Sequence, residues 1–388
     1  MGAPSIEIRF IEKALSAITR GERGIVMLWV KDALPGSAMN PITVVTESDI
    51  PEGLSAETAE QIKLAMIGYT NAPKKVLVYC MGVAQEEEGM EEGAVDAGYK
   101  NAMGASETIR FDYLAVPTAE TDGKSQDIAT WVKSMRENKK RRVKAVLPNV
   151  AADHEGIINF TTEKCVKTGT VTAEDGTKTT VDTVYTAEQY CARIAGLIAG
   201  TPMTFACTYA PLPELSDCTR LADIDTPVDK GEFIVFYDGE KVKVVRGVNS
   251  FVSKVKGKGE SFQKIKIVDA MDMINDDIIT AAQDNYLGKY ANTYSNKCLL
   301  LTEVSNYFAQ LKRDDIISSY SVSFDADAAR AYLKEKGLQA TLEDGTVKEV
   351  DDCSDEEIVT ADTGASVFLT GSVKILDAIE DIKMPIYL

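Results

Sequence analysis

The chain has 388 residues, 45% of them hydrophobic, and a net charge of −18 from 60 acidic and 42 basic side chains. That length exceeds one ordinary core and predicts two or three domains, and the aliphatic content excludes a disordered chain. The acidic balance excludes a nucleic-acid-binding role, which needs a basic footprint, and no apolar run approaches the roughly 20 residues of a membrane span.

Residues 1–24 read as an N-terminal arm, with Ile6, Ile8 and Phe10 at every second position as in a strand. The start lacks a basic segment followed by an apolar one, so no signal peptide is expected. Residues 25–215 read as an α/β domain. Ile25 to Val30 is a continuous apolar run, the mark of a strand covered on both faces. A helix follows at 55–70, with Ser55 as N-cap and Ile62, Met66 and Tyr69 as its buried stripe. Val76–Tyr79 is the next buried strand, 94–104 a helix, and Tyr113–Pro117 a third strand. The helix at 124–138 carries Ile128, Trp131, Val132 and Met135 at helical spacing, and Val143–Leu147 is a fourth strand. Strands alternating with helices predict right-handed crossovers and a mostly parallel sheet. A hairpin is inserted over 165–185, with Asp175-Gly176 as its turn, and a helix at 187–199 comes near the domain's end.

Residues 216–232, rich in Asp, Thr and Pro, read as a linker. Residues 233–366 read as an α+β domain around a small sheet. Its predicted elements are a hairpin joining Phe233–Phe236 to Val242–Val245 through Asp238-Gly239, helices at 269–285, 296–313 and 326–336, and a hairpin at Asp344-Gly345. Residues 367–388 form a C-terminal strand and arm. Val373 and Ile375 alternate with Ser372 and Lys374, and Met384, Ile386 and Leu388 alternate again. Pro385 donates no ladder hydrogen bond, which suits an edge or a strand added to another chain's sheet.

Chemistry is sparse. The 7 cysteines hold no C-x-x-C pair and read as buried, reduced thiols, and His154 is the sole histidine, read as a surface or loop residue. Around Gly257-Lys258-Gly259 the chain lacks the upstream glycine and the hydroxyl after lysine that a phosphate loop needs. The acidic clusters Glu86–Glu92, Asp276-Asp277 and Asp351–Glu357 lack calcium-loop spacing, and Lys139–Arg142 closes a helix where cations favour the dipole. No catalytic residue, metal or cofactor is expected.

In the second half, Gly247-Val248-Asn249-Ser250-Phe251, Lys264–Ile274, Asp277-Ile278, Tyr286–Asn292, Asn296-Lys297 and Val373–Ile382 resemble core segments of contractile phage tail sheath proteins. Pro4-Ser5-Ile6 and Arg23–Val26 resemble them too, nearest to the short type of Gram-positive phages, defective prophages and phage-tail-like bacteriocins. The resemblance implies a structural subunit, stacked as six-membered rings around an inner tube and contacting baseplate and tail terminator proteins. It implies a particle component made in a bacterial cytoplasm, with neither nucleic acid nor membrane as partner. The 25–215 domain would face outward and the 233–366 domain inward. Ile6, Ile8 and Phe10, with Val373, Ile375, Ile379, Ile382, Met384, Ile386 and Leu388, would make subunit contacts by strand addition. Lys289, Lys297, Lys312 and Arg313 would face the tube. Three other readings stay open: both terminal strands completing their own subunit's sheet, an α/β enzyme with a nonlinear active site, and another self-assembling particle subunit.

Overall fold

The structure, a computed structural model, describes residue 18 and residues 20–82, 93–172 and 178–387. The expected strand at Ile6, Ile8 and Phe10, the acidic run at Glu86–Glu92, the Asp175-Gly176 turn and Leu388 lie outside the described residues. The chain forms two compact units. One comprises Glu22–Asp272 and Asp377–Leu388, the other Met1–Gly21 and Met273–Leu376.

The larger unit is built on strands β1 (Ile25–Val30), β2 (Ile42–Val44), β3 (Lys75–Cys80), β4 (Tyr113–Ala115), β5 (Lys144–Pro148) and β6 (Ile157–Phe160). Its helices are α1 (Ala56–Met66), α2 (Ala94–Ser106), α3 (Ser125–Glu137) and α4 (Ala187–Ala199). Further along come β7 (Cys165–Thr172), β8 (Lys178–Tyr185), β9 (Asp217–Cys218), α5 (Asp225–Asp229), β10 (Glu232–Phe233), β11 (Val235–Tyr237) and β12 (Val242–Val244). The main sheet runs β10-β6-β5-β4-β1-β3-β2. All its neighbours are parallel except β2, which closes the edge antiparallel to β3.

The unbroken apolar run of β1 follows from burial on both faces. Val26, Leu28 and Val30 pack with α1 and α4 residues such as Ile62 and Tyr190. Ile25, Met27 and Trp29 pack with Tyr99 of α2 and Ile128 and Val132 of α3. Trp29 Nε1 is satisfied by Ser106 Oγ at 3.1 Å. Helix α1 starts where Ser55 Oγ accepts from Thr58 N (3.1 Å), and α4 starts at a reciprocal Thr186/Gln189 cap. The inserted hairpin is present as β7 paired with β8 from Cys165↔Tyr185 to Thr172↔Lys178.

Three expectations need correction. Residues 216–232 are not a free linker: β9 pairs with β7, and β10 extends the main sheet from β6. Phe233–Phe236 is not one strand, because the chain changes sheets between Phe233 and Val235. Strands β2 and β6, absent from the sequence reading, are only three and four residues long, too short to show a period. The observed division between units falls at Asp272, within helix α6 (Ile265–Ala281).

The smaller unit contains α7 (Tyr294–Arg313), β13 (Ile317–Phe324), α8 (Ala326–Glu335), β14 (Ala340–Thr341), β15 (Val347–Lys348), α9 (Asp355–Thr360) and β16 (Leu369–Ile375). β13 and β16 pair antiparallel, Tyr320 opposite Val373 and Phe324 opposite Leu369. Phe308 of α7 stacks on Tyr320 at 5.7 Å. The α8–α9 region has its own core of Leu333, Ala340, Val350, Ile358 and Ala361. Asp277 accepts from Gly21 N (2.9 Å) and Tyr307 Oη (2.8 Å), joining the start of the described chain to this unit.

Candidate assembly surface

The sheet β13–β16 is two-stranded, so each strand keeps one unpaired edge. One face, with Tyr320 and Val373, is half-buried, while Ser319, Ser321, Ser323, Thr370, Ser372 and Lys374 face solvent. Val373 and Ile375 therefore complete the sheet of their own chain, opposite Tyr320 and Ile317.

Beyond β16 the chain runs extended, and its side chains sort into two sets. The acidic set is held down. Glu380 Oε1 accepts from Thr208 Oγ1 at 2.5 Å, and its other oxygen lies 3.3 Å from Lys264 Nζ. Asp377 pairs with the same lysine, and Asp381 with Arg246 at 2.7 Å. Burial of Lys264 disfavours its charge, but these carboxylates outweigh that and raise its pKa above the ordinary lysine value. The apolar set is free. Ile379 is 88% exposed, Ile382 83%, and Met384 and Ile386 73% each. A row of large aliphatics in water on a tethered arm is the exposed apolar surface of this region. The apolar residues were legible in the sequence, whereas the acidic anchors were not, because Arg246, Lys264 and Thr208 come from segments far upstream.

The four cations expected at a tube divide. Lys289, Lys312 and Arg313 are exposed. Lys297 is not: it is 5% exposed, and its ammonium donates to Ala361 O (2.9 Å) and Val359 O (3.4 Å). Burial lowers its pKa below the lysine range, and a side chain so occupied cannot reach another protein. His154 is also buried rather than superficial, its Nδ1 accepting from Gly156 N at 2.9 Å.

One polar cluster was missed. Asp272 accepts from Arg136 twice (2.9 Å each) and from Lys144 (2.8 Å), while Asp269 accepts from Tyr113 Oη (2.5 and 2.6 Å) and pairs with Lys144 at 2.9 Å. Arg23 donates to Asp272 O (2.9 Å), and Asp112 accepts from Ile25 N (2.9 Å). A cleft of about 190 Å³ opens beside it, lined by Arg23, Asp112, Tyr113, Lys144, Asp269 and Met203. Its charges are matched to one another, so they fasten the first turns of α6 to the parallel sheet. All seven cysteines are free thiols, and only Cys298 is more than slightly exposed.

Family models match most of the chain: the phage tail sheath protein central domain over residues 92–250, and the phage tail sheath C-terminal domain over 257–388. A tail sheath protein of Clostridium phage phiCD119 is 35% identical over 391 residues, covering 99% of this chain and 98% of that one. The chain belongs to the phage tail sheath family. The sheath protein is thus a structural subunit of a contractile tail. Over 195 residues, 49% of this chain and 39% of the relative, it is also 33% identical to the phage-like element PBSX protein XkdK of Bacillus subtilis. Its fold matches the crystal structure of a sheath tail protein from Desulfitobacterium hafniense, with a TM-score of 0.65 at 18% identity, over 96% of this chain and 100% of that one. It also matches the contracted helical sheath of the anti-feeding prophage, with a TM-score of 0.62 at 12% identity, over 100% and 99% of the two chains.

Proposed function

We propose that copies of this sheath protein stack as six-subunit rings around an inner tube, between a baseplate and a tail terminator, and contract to drive the tube through a cell envelope. The exposed aliphatic row on the tethered C-terminal arm carries this reading. Ile379, Ile382, Met384 and Ile386, with Leu388, dock on the next copy, and Ile6, Ile8 and Phe10 do the same at the other end. Val373 and Ile375 lie in a sheet whose free edge is a template for a neighbour's strand. Head-to-tail contacts of this kind build open helical arrays. Contraction then is a rigid-body rearrangement in which one set of contacts replaces another, so it needs no nucleotide.

The 25–215 region faces outward and the 233–366 region inward, where Lys289, Lys312 and Arg313 meet the tube. Synthesis is in the host cytoplasm, before particle assembly. No catalytic step is part of this role.

The test is negative-stain electron microscopy of the full chain beside a version truncated after Glu380, which keeps its contacts with Thr208 and Lys264. Tubes or stacked rings from the full chain, with monomers of unchanged circular dichroism from the truncation, are the expected result. Equal tube formation by both would overturn the arm's role. Monomers from both, with a candidate tube protein added, would overturn self-assembly.

A further inference from the structure

Among the seven free cysteines, two face each other directly. Cys165 opens β7 and Cys218 closes β9, and the antiparallel register sets them opposite one another. Residues directly opposed across a ladder share one face. Both are buried there, Cys165 at 0% exposure and Cys218 at 4%. The hydrogen bonds identify the type of pair. Thr219 N donates to Lys164 O at 2.9 Å, one step outside the cysteines. Cys218 N turns away from β7 and donates to Asp217 Oδ1 at 2.8 Å. Cys165 and Cys218 are therefore a non-hydrogen-bonded pair, the position where the Cα atoms come to about 4.5 Å and the side chains are closest. That separation lies inside the range of roughly 4.4–6.8 Å that a disulfide spans.

We propose that Cys165 and Cys218 form a redox-sensitive modification site, a dithiol in reducing surroundings that closes to a cross-strand disulfide when a small-molecule disulfide is present. The chemistry balances by two exchanges. One thiolate attacks the small disulfide, forms a mixed disulfide and expels one small thiolate. The second cysteine thiolate attacks the mixed disulfide at the protein sulfur and expels the other. The two protons lost by the cysteines end on the two released small thiols, so the protein is oxidised by two electrons and the reagent reduced by two.

The bond ties the base of the β7–β8 hairpin to β9 and encloses α4 in a covalent loop. Access sets the rate. β9 is two residues long and pairs on one side only, so access to Cys218 comes by opening this edge and withdrawing its thiol from Val235 O (3.9 Å). Burial pushes the Cys218 thiol up to about 11 and Cys165 further still, so neither offers a thiolate while the edge stays shut, and exchange waits on its opening.

Incubation of the full chain with oxidised glutathione, then alkylation, digestion and mass spectrometry without reductant, tests the site. A peptide joining Cys165 to Cys218, lighter by two hydrogens, is expected in the parent and in Cys298→Ser. It is expected to vanish in Cys218→Ser, and the linked parent should melt roughly 5 °C higher until dithiothreitol is added. Failure of the link to form in the parent after prolonged exposure overturns the proposal. So does glutathione trapped on Cys298 alone, or a link between other cysteines. Should Cys218→Ser not fold, the parent's linked peptide and its reversal by dithiothreitol decide the question alone.

Discussion

At the scale of single residues, Asp272 shows how much a buried charge depends on its partners. Burial opposes its ionisation, yet Lys144 and Arg136 hold its carboxyl below the usual carboxylate range. Asp272→Asn leaves the buried Arg136 without its carboxylate partner and Lys144 with Asp269 alone. The expected cost is about 3–5 kcal/mol, read by urea denaturation at neutral pH. A carboxyl with a depressed folded value stabilises above its unfolded pKa of about 3.9, and that stability fades as pH falls through the folded value. The gap between variant and parent should therefore hold down to about pH 3.9 and narrow below it, and a gap that stays constant well below that value would contradict the assignment. Lys297 makes the converse point. Its sequence position, on the first turns of a helix, suggested a cation free to meet the tube. Only the fold brings the carbonyls of Val359 and Ala361 to it, and nothing local to the residue announces them.

At the scale of elements, α1 and α4 touch through a glycine. A Cβ on Gly196 would stand 1.8 Å from the backbone oxygen of Ala65. Gly196→Ala must force the helices apart, and overpacking of this kind costs about 1–3 kcal/mol. The expected outcome is a lower urea midpoint with an unchanged slope. The same comparison explains which elements were readable from the chain. β1 announced itself because both its faces are buried, and α4 because its cap, its length and its apolar pattern agree. β2 and β6 were invisible because three or four residues carry no period, and β10 and β11 were merged because the change of sheet between Phe233 and Val235 leaves no turn residue behind. The arm's apolar row, unlike the unbroken run of β1, was readable through its alternate spacing. Its anchors were not, since ion pairs with Arg246 and Lys264 are made only once distant segments meet.

At the scale of the whole molecule, the net charge of −18 makes copies repel one another. If the exposed aliphatics drive association, added salt should promote it, because screening weakens the repulsion while leaving apolar burial intact. Sedimentation of the full chain is expected to show more large species at 0.15 M than at 0.01 M salt; fewer would mean that charge pairs, not the aliphatic row, hold copies together. A paired substitution separates docking from folding. Ile379→Asp with Ile382→Asp should leave the melting temperature within about 1 °C, since both side chains stand in water, and should abolish tubes. A large fall in melting temperature would show that the arm is part of the fold instead.

The pinning of Glu380 also has a metric meaning. Ile386 lies only six residues past that anchor, and extended chain covers no more than about 3.6 Å per residue. If the arm docks on the next copy as proposed, one copy keeps hold of another across a gap of roughly 20 Å and no further without first giving up the contacts of Glu380 to Thr208 and Lys264. The arm is a leash of fixed length. On that proposal, any change of spacing between copies within that length costs no bond, and any change beyond it must break the leash or peel its root.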